Sequence, residues 1–356
     1  MTMTKIESIL DLARWAPSGD NEQPWQFEIL SESQFVIHGH DTSSWCVYDL
    51  DGFASQIALG ALIESIKIAA SKQGLLASFS KTVKEKENYQ INVLLEESPC
   101  ETSELAFSLE QRCTNRKAFS TKPLKDKDRK LLQEAIGEGF TVNWIEDAGS
   151  RWQMARLLYR NAYIRLTIPE AYQVHRQNIE WDTSFSATKL PDKAIGVDNL
   201  TLKIMKWTLS SWERVQFMNR YFAGTVLPRL QMDLFPGFFC GAHFLISSVK
   251  PLQEVDDIIS GGRAMQRFWL TAAKLGLQFQ PTMTPLIFSR YCAENIAFTS
   301  CQQALTIAGS LKSEIDSIYH ERAFANHAVF MGRVGYGAPP KSRSVRKELI
   351  SLTRQN

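Results

Sequence analysis

The sequence predicts an α+β protein assembled from two related lobes, and three observations predict it. The first is a helix within residues 261–277, where Met265, Phe268, Trp269 and Ala272 fall at helical spacing. Only Arg263, Arg267 and Lys274 interrupt its apolar surface, the pattern of a helix buried on most sides. The second is that the same pattern occurs early in the chain. Gly60 matches Gly262, Ile63 matches Met265, Ile66 matches Phe268 and Ala70 matches Ala272, while Lys72 and Gly74-Leu75 match Lys274 and Gly276-Leu277. The third is that short strands flank both helices, with a hairpin before the first and a buried apolar strand before the second. Two diverged copies of one fold account for the repeat. So do two unrelated core helices, because apolar helices ending in Gly-Leu are common.

Taken in order, residues 4–15 make an amphipathic helix through Ile6, Ile9, Leu10 and Ala13, stopped by the turn-rich run from Ala16 to Asn21. That run is either a plain surface turn or a short polar loop able to reach the heteroatoms of a planar ligand. Residues 23–29 alternate as a strand, with 34–38 as its hairpin partner. The first buried helix spans 53–72, a strand follows over 91–96, and 99–103 reads as a lobe boundary. A helix from Leu105 then carries Arg112, Thr114 and Arg116. Two guanidiniums and a hydroxyl in five residues suit a phosphate clamp, although paired basic residues on a helix equally describe a solvated face.

A helix over 125–137 and a strand over 142–145 precede a stretch, roughly 150–235, with no counterpart in the first copy. It reads as a helix (151–166), a loop-like segment (179–196) and a helix (200–222) dense in Met205, Trp207, Trp212 and Phe217. Such an insertion either packs between the lobes or forms a lid. His175 within it is either structural or in contact with a ligand. After the strand at 238–248 and the second buried helix, residues 286–289 are apolar and 323–334 include a strand. Lys341 and Arg343 then follow two prolines, as a second anion contact or as a basic tail, with Arg346 and Lys347 expected in solvent.

Composition narrows the class further. At 356 residues the length fits about two domains, and 44% hydrophobic with 22% charged residues is ordinary for a globular protein. A formal net charge of +2 gives no reason to expect nucleic acid or a membrane as partner. No run approaches the roughly 18 apolar residues of a membrane span, and the start lacks a signal-peptide core. Cys46, Cys100, Cys113, Cys240, Cys292 and Cys301 show no CxxC pair and no zinc spacing, so they are expected as reduced thiols in a cytoplasm, with no metal site.

Four stretches together resemble the FMN-dependent nitroreductase-like family: ARWAPSGDNEQPWQF (13–27), RCTNRKAF (112–119), AMQRFWLTAAKLGLQFQP (264–281) and PKSR (340–343). Their order departs from the family's, because the Pro-Ser loop lies in the first copy and the clamp in the second. The resemblance is therefore to a tandem, fused pseudo-dimer with a lid. It implies a mixed sheet wrapped by helices in each lobe, residues 1–100 and 104–356, with one FMN between them. Arg112, Thr114, Arg116, Lys341 and Arg343 would hold the phosphate. Pro17, Ser18 and Asn21 would edge the ring, and backbone near Thr282 and Met283 would face its N5. The implied activity is hydride transfer from NAD(P)H through FMN to a small acceptor such as a nitroaromatic or quinone. No catalytic side chain is required. A non-turnover FMN-binding protein, its flavin covered by the insertion, is the alternative.

Overall fold

A computed structural model describes residues 3–98, 101–319 and 327–354. Pro99, Cys100 and the start of the strand expected over 323–334 lie outside the described residues. The first helix, α1 (Lys5–Ala13), begins where Thr4 and Glu7 exchange hydrogen bonds: the Glu7 amide donates to Thr4 Oγ1 at 3.2 Å and the Thr4 amide to Glu7 Oε2 at 2.7 Å. Then come β1 (Trp25–Ile29), β2 (Gln34–His40), α2 (Phe53–Lys72), β3 (Leu75–Phe79), β4 (Val83–Glu85) and β5 (Asn88–Glu97). The helix expected from Leu105 is a single tight turn over Glu104–Ser108, and Arg112 to Phe119 run as irregular chain.

The second half starts with α3 (Asp126–Ile136) and β6 (Phe140–Ile145). An insertion follows: α4 (Ala148–Thr167), α5 (Pro169–Asn178), β7 (Ile179–Glu180), β8 (Phe185–Ser186), β9 (Leu190–Pro191), α6 (Asn199–Thr208), α7 (Trp212–Tyr221), α8 (Val226–Arg229) and α9 (Phe235–Phe238). The helix expected over 200–222 is thus two, because Ser211 turns to cap α7, its side chain accepting from the Arg214 amide. The chain closes with β10 (Ala242–Ser248), α10 (Val255–Lys274), β11 (Gln278–Pro281), α11 (Thr284–Ala293), α12 (Gln302–Tyr319), β12 (Ala328–Gly335), β13 (Arg343–Ser344) and α13 (Leu349–Leu352).

The two larger sheets have one topology. The first runs β1-β2-β5-β3, with β4 also on β5, and the second runs β6-β10-β12-β11. In each the order along the chain is helix, edge strand, inner strand, central helix, far edge strand, inner strand. The central helices end at glycines in the left-handed region, Gly74 at φ +68° and Gly276 at φ +71°. A mixed sheet in each lobe was the expectation. Every pairing between named strands of these two sheets is antiparallel instead. Parallel pairing reaches the first sheet only as an isolated bridge from Phe27 to Thr353, brought there by the C-terminal tail. Leu352 of that tail is buried in the first lobe's core beside Phe27 and Trp25.

The lobes meet along α2 and α10. By length and composition α2 could cross a membrane, yet nearly all of it is buried here against α10, α1 and the first sheet. The matched glycines sit at the crossing. A Cβ on Gly60 would lie 2.1 Å from the Ile259 carbonyl oxygen, and one on Gly262 would lie 2.3 Å from that of Ile57. Beside them Gln266 Nε2 donates to Ser65 Oγ at 2.9 Å, and the buried Glu64 takes Arg263 at 2.9 Å and Arg267 at 3.1 Å. Gly60→Ala or Gly262→Ala must force two backbones apart, so each is expected to destabilise by about 2–3 kcal/mol. Gly309→Ala in α12, where a Cβ meets nothing within 4 Å, should be neutral or stabilise by about 0.5–1 kcal/mol. Urea unfolding of the three variants checks this; equal midpoints would remove the close crossing.

Candidate functional site

A cavity of about 740 Å³ lies against the crossing, within the size range of cofactor sites, roughly 300–1,000 Å³. Phe53, Ile57 and Ala58 of α2 and Met265 and Trp269 of α10 supply one wall, and residues from Thr201 to Asp233 of the insertion supply another. The insertion therefore covers the cavity as a lid wall rather than packing elsewhere.

One end of the cavity is cationic. Arg112 and Arg346 are buried, Arg343 is half-buried, and none of the three has an ion pair among the described residues. Arg112 lies over the Trp269 ring, 4.4 Å from its centroid, and donates through Nη2 to the Trp15 carbonyl at 3.0 Å. Arg343 lies over Trp15 at 5.0 Å. Arg346 donates to the Ala16 carbonyl at 3.0 Å and to Asn21 Oδ1 at 2.8 Å. Burial, then the Arg343 charge, pulls Arg112 down to about 9, and burial with Arg112, Arg343 and Arg14 pulls Arg346 well below its ordinary range. The buried Nε of Arg112 and of Arg343 lack partners. Buried like charges without a counter-ion are costly, and an anion in their midst removes the cost.

The tail is positioned by strapping. Arg343 pairs in parallel with Phe185 of β8, Arg14 Nη1 donates to the Lys347 carbonyl at 2.9 Å, and the Lys347 amide donates to Gln23 Oε1 at 2.9 Å. The loop after Pro17 is strained: Asp20, Asn21 and Gln23 have φ of 46°, 67° and 53°, positions non-glycine residues seldom adopt. It is held by Gln23, whose amide donates to Ser18 Oγ at 2.9 Å and whose side chain donates to the Ala187 carbonyl at 2.8 Å.

Of the residues singled out by sequence, Pro17, Ser18, Asn21, Arg112, Thr114, Arg116, Thr282, Met283 and Arg343 all line this cavity. Lys341 does not; it is exposed. Arg346 corrects the expectation that it is solvated, because the tail's extended path turns it inward. Lys347 is likewise drawn in, its Nζ donating to the Glu22 carbonyl at 3.1 Å. Arg112 and Arg116 do not share a helix face, because the chain from Arg112 to Phe119 is irregular. Their guanidiniums take different partners: Arg112 the Trp15 carbonyl, and Arg116 the Ala194 carbonyl at 3.2 Å, with the charges of Asp20 and Arg165 acting on Arg116. Asn21 spends its amide on Arg346 and on the Ser186 and Lys189 carbonyls, both at 3.4 Å, bracing the insertion. The Thr282 amide already donates to Met331, whereas its buried hydroxyl has no partner and is the free group there.

At the far end the cavity also takes in His175 and Asp20 of the Ala16–Asn21 run, both within stretches the sequence had singled out, together with Tyr48, Arg165, Asp233 and Arg333, which sequence reasoning missed. Asp20 is raised by burial, against an Asn178 hydrogen bond and Arg116. Tyr48 Oη lies 2.9 Å from His175 Nε2, and Arg165 pairs with Asp233 at 2.6 Å. Arg333, fully buried, sits 4.0 Å from the Phe119 ring centroid and donates to Gln280 Oε1 at 2.7 Å. Tyr48, Arg165, Asp233 and Arg333 converge from distant parts of the chain, so no local pattern marks them.

No protein-family model matches the sequence, and no curated protein matches it. Among solved structures, the chain is similar to the FMN-dependent nitroreductase NfnB of Mycobacterium smegmatis, in complex with NADPH, at 11% identity over 70% of this chain and 96% of that one, TM-score 0.38. A BluB-like flavoprotein from Clostridium difficile matches at 11% identity over 71% and 99%, TM-score 0.38. A nitroreductase with bound FMN from Desulfitobacterium hafniense matches at 14% over 69% and 95%, TM-score 0.36.

Burial, then the charge of Arg165, lowers His175 to about 3, so it stays neutral while the unfolded chain protonates near 6.5. A histidine with a lowered folded pKa costs stability as pH falls from about 6.5 towards 3. His175→Gln should flatten that limb by at most about 1.4 kcal/mol per pH unit. Unfolding free energies from pH 7 to 4 for both chains check it, and parallel curves would contradict the burial of a neutral ring.

Proposed function

We propose that the chain is an FMN-dependent oxidoreductase with one flavin between two lobes that are diverged copies of one unit. The observation that carries this reading is the carboxylate-free cluster of Arg112, Arg343 and Arg346 at one end of a largely apolar, flavin-sized cavity. A phosphate monoester brings about −1.5 to −2 charges, which three guanidiniums neutralise where water cannot. Trp269, on the rigid α10, holds Arg112 in place, so little conformational freedom is lost on binding. The partnerless Thr282 hydroxyl offers a hydrogen bond to a ring edge, and the apolar remainder excludes water. Bound there, FMN supplies two-electron chemistry, accepting hydride from NAD(P)H and passing it to an acceptor such as a nitroaromatic or quinone.

Arg346→Ala and Arg343→Ala are each expected to weaken FMN binding by about 1.5–3 kcal/mol, and Lys341→Ala to leave it unchanged. Fluorescence titration of the apoprotein with FMN measures all three; loss only in the Lys341 variant would overturn this phosphate site.

The insertion favours one rival reading, a flavin carrier without turnover. Met205, Leu209, Met218 and Phe222 stand in the cavity wall, and if they lie against the open face of the flavin they would fill the space a nicotinamide needs to stack within roughly 3–3.5 Å of its partner. As a lid that opens, the same residues dry the site and shape an acceptor pocket. Anaerobic mixing of the holoprotein with NADH or NADPH separates the two. Bleaching of the flavin band within seconds is the expected result. Bleaching by dithionite alone would establish the carrier.

A further inference from the structure

The insertion turns a second, outward face to solvent. On α6, Leu200, Lys203, Ile204 and Trp207 follow i, i+3, i+4, i+7 spacing and all four are exposed, so they form one stripe. On α7, Arg214, Phe217 and Tyr221 do the same, and Phe217 packs its ring against Tyr221 and Phe222 at 5.3 and 5.5 Å. Arg214 lies 4.8 Å from the Trp207 ring centroid and joins the two stripes. Leu200, Tyr221 and Phe222 are each more than 60% exposed, values of 67%, 63% and 63%. Basic side chains interleave with them: Lys203, Arg214 and Arg220 have no ion pair among the described residues, while Glu213 is the one exposed acid of α7.

We propose that this stripe docks on an anionic phospholipid surface. Paired helices that present aromatic and aliphatic side chains among lysines and arginines match a bilayer interface, where rings enter the headgroup boundary and cations meet lipid phosphates. A net charge of +2 for the whole chain does not reveal this local grouping, because 40 basic and 38 acidic residues nearly cancel in the total. A second copy of the chain fits the stripe less well. A two-fold contact would set Lys203, Arg214 and Arg220 against their own equivalents. The cavity supplies a reason for docking. Ile204, Phe222 and Leu227 are exposed and also line it, so its mouth opens within the stripe and faces lipid once the helices are seated. Passage of an apolar acceptor from the bilayer would follow; that consequence rests on the oxidoreductase reading, and the docking does not.

Flotation of the full-length protein with vesicles tests it. Vesicles of phosphatidylcholine with added phosphatidylglycerol should carry the protein upward, pure phosphatidylcholine much less, and high salt should release it. The pair Lys203→Glu with Arg220→Glu, and separately Trp207→Ser with Phe217→Ser, should each lose at least about tenfold in vesicle affinity. Circular dichroism establishes that the variants are folded, and their flavin content reports on the cofactor reading independently. No flotation with anionic vesicles, or variants that float like the original, would overturn the proposal. So would light scattering that finds a dimer which Phe217→Ser converts to monomer, since the occupant would then be a second copy.

Discussion

Two backbones in near contact hold this molecule together. Where α2 crosses α10 there is no side chain on either side, and carbonyl oxygens approach within the space a methyl group would need. Helices that approach so closely bring their flanking turns into register, and the next residues along each become the wall of the cavity: Ile57 and Ala58 on one, Met265 and Trp269 on the other. The same contact fixes the distance between Trp15, at the end of α1 packed on α2, and Trp269. Those rings support Arg343 and Arg112. The cationic end thus rests on the crossing through Trp15 and Trp269, and on the strapped tail that brings Arg343 and Arg346 to them.

Against that rigid frame, the unfavourable features gather in one place. Two left-handed non-glycine residues, Asp20 and Asn21, arginines without counter-ions and a partnerless buried threonine all face one cavity, with the left-handed Gln23 directly behind them in the same loop. Each costs on the order of 1–3 kcal/mol by itself, and a chain selected only for stability would shed them. The surrounding hydrogen bonds of Gln23 and Asn21 to the 186–189 carbonyls keep the loop in its strained path. Strain held at a concave, cationic site is what a preorganised ligand site requires.

The sequence disclosed the parts of this arrangement that are local and hid those that are not. Both central helices, their closing glycines and the match of Gly60 to Gly262 were legible because buried helices carry their periodicity openly. The hairpin of β1 and β2 was legible for the same reason at period two. Arg112 and Arg116 were misjudged as neighbours on a helix, since propensity after Leu105 does not reveal that the chain straightens to cross the lobe interface. Lys341 and Arg346 look alike in a basic tail. Only the pairing of β13 with β8 and the hold of Gln23 on the Lys347 amide decide which one turns inward. The antiparallel sheets were hidden similarly, because strand direction is set by partners far along the chain.

The shared topology also explains why the two lobes make one site of this kind. In the first lobe the link from α1 to β1 is long enough to form the Pro17–Gln23 loop. In the second, the corresponding link from α3 to β6 is Gly137, Glu138 and Gly139, with both glycines at positive φ, 80° and 85°, a turn too tight to present any side chain to a ligand. The difference runs the other way one connection later. Residues 30–33 close β1 onto β2 as a hairpin, whereas everything from α4 to α9 intervenes between β6 and β10. One lobe therefore contributes the strained loop and the other the covering wall, and each lacks what its counterpart supplies. A cavity built from such unlike halves lacks the two-fold equivalence seen at the helix crossing, and lacks any second loop of this type among the described residues.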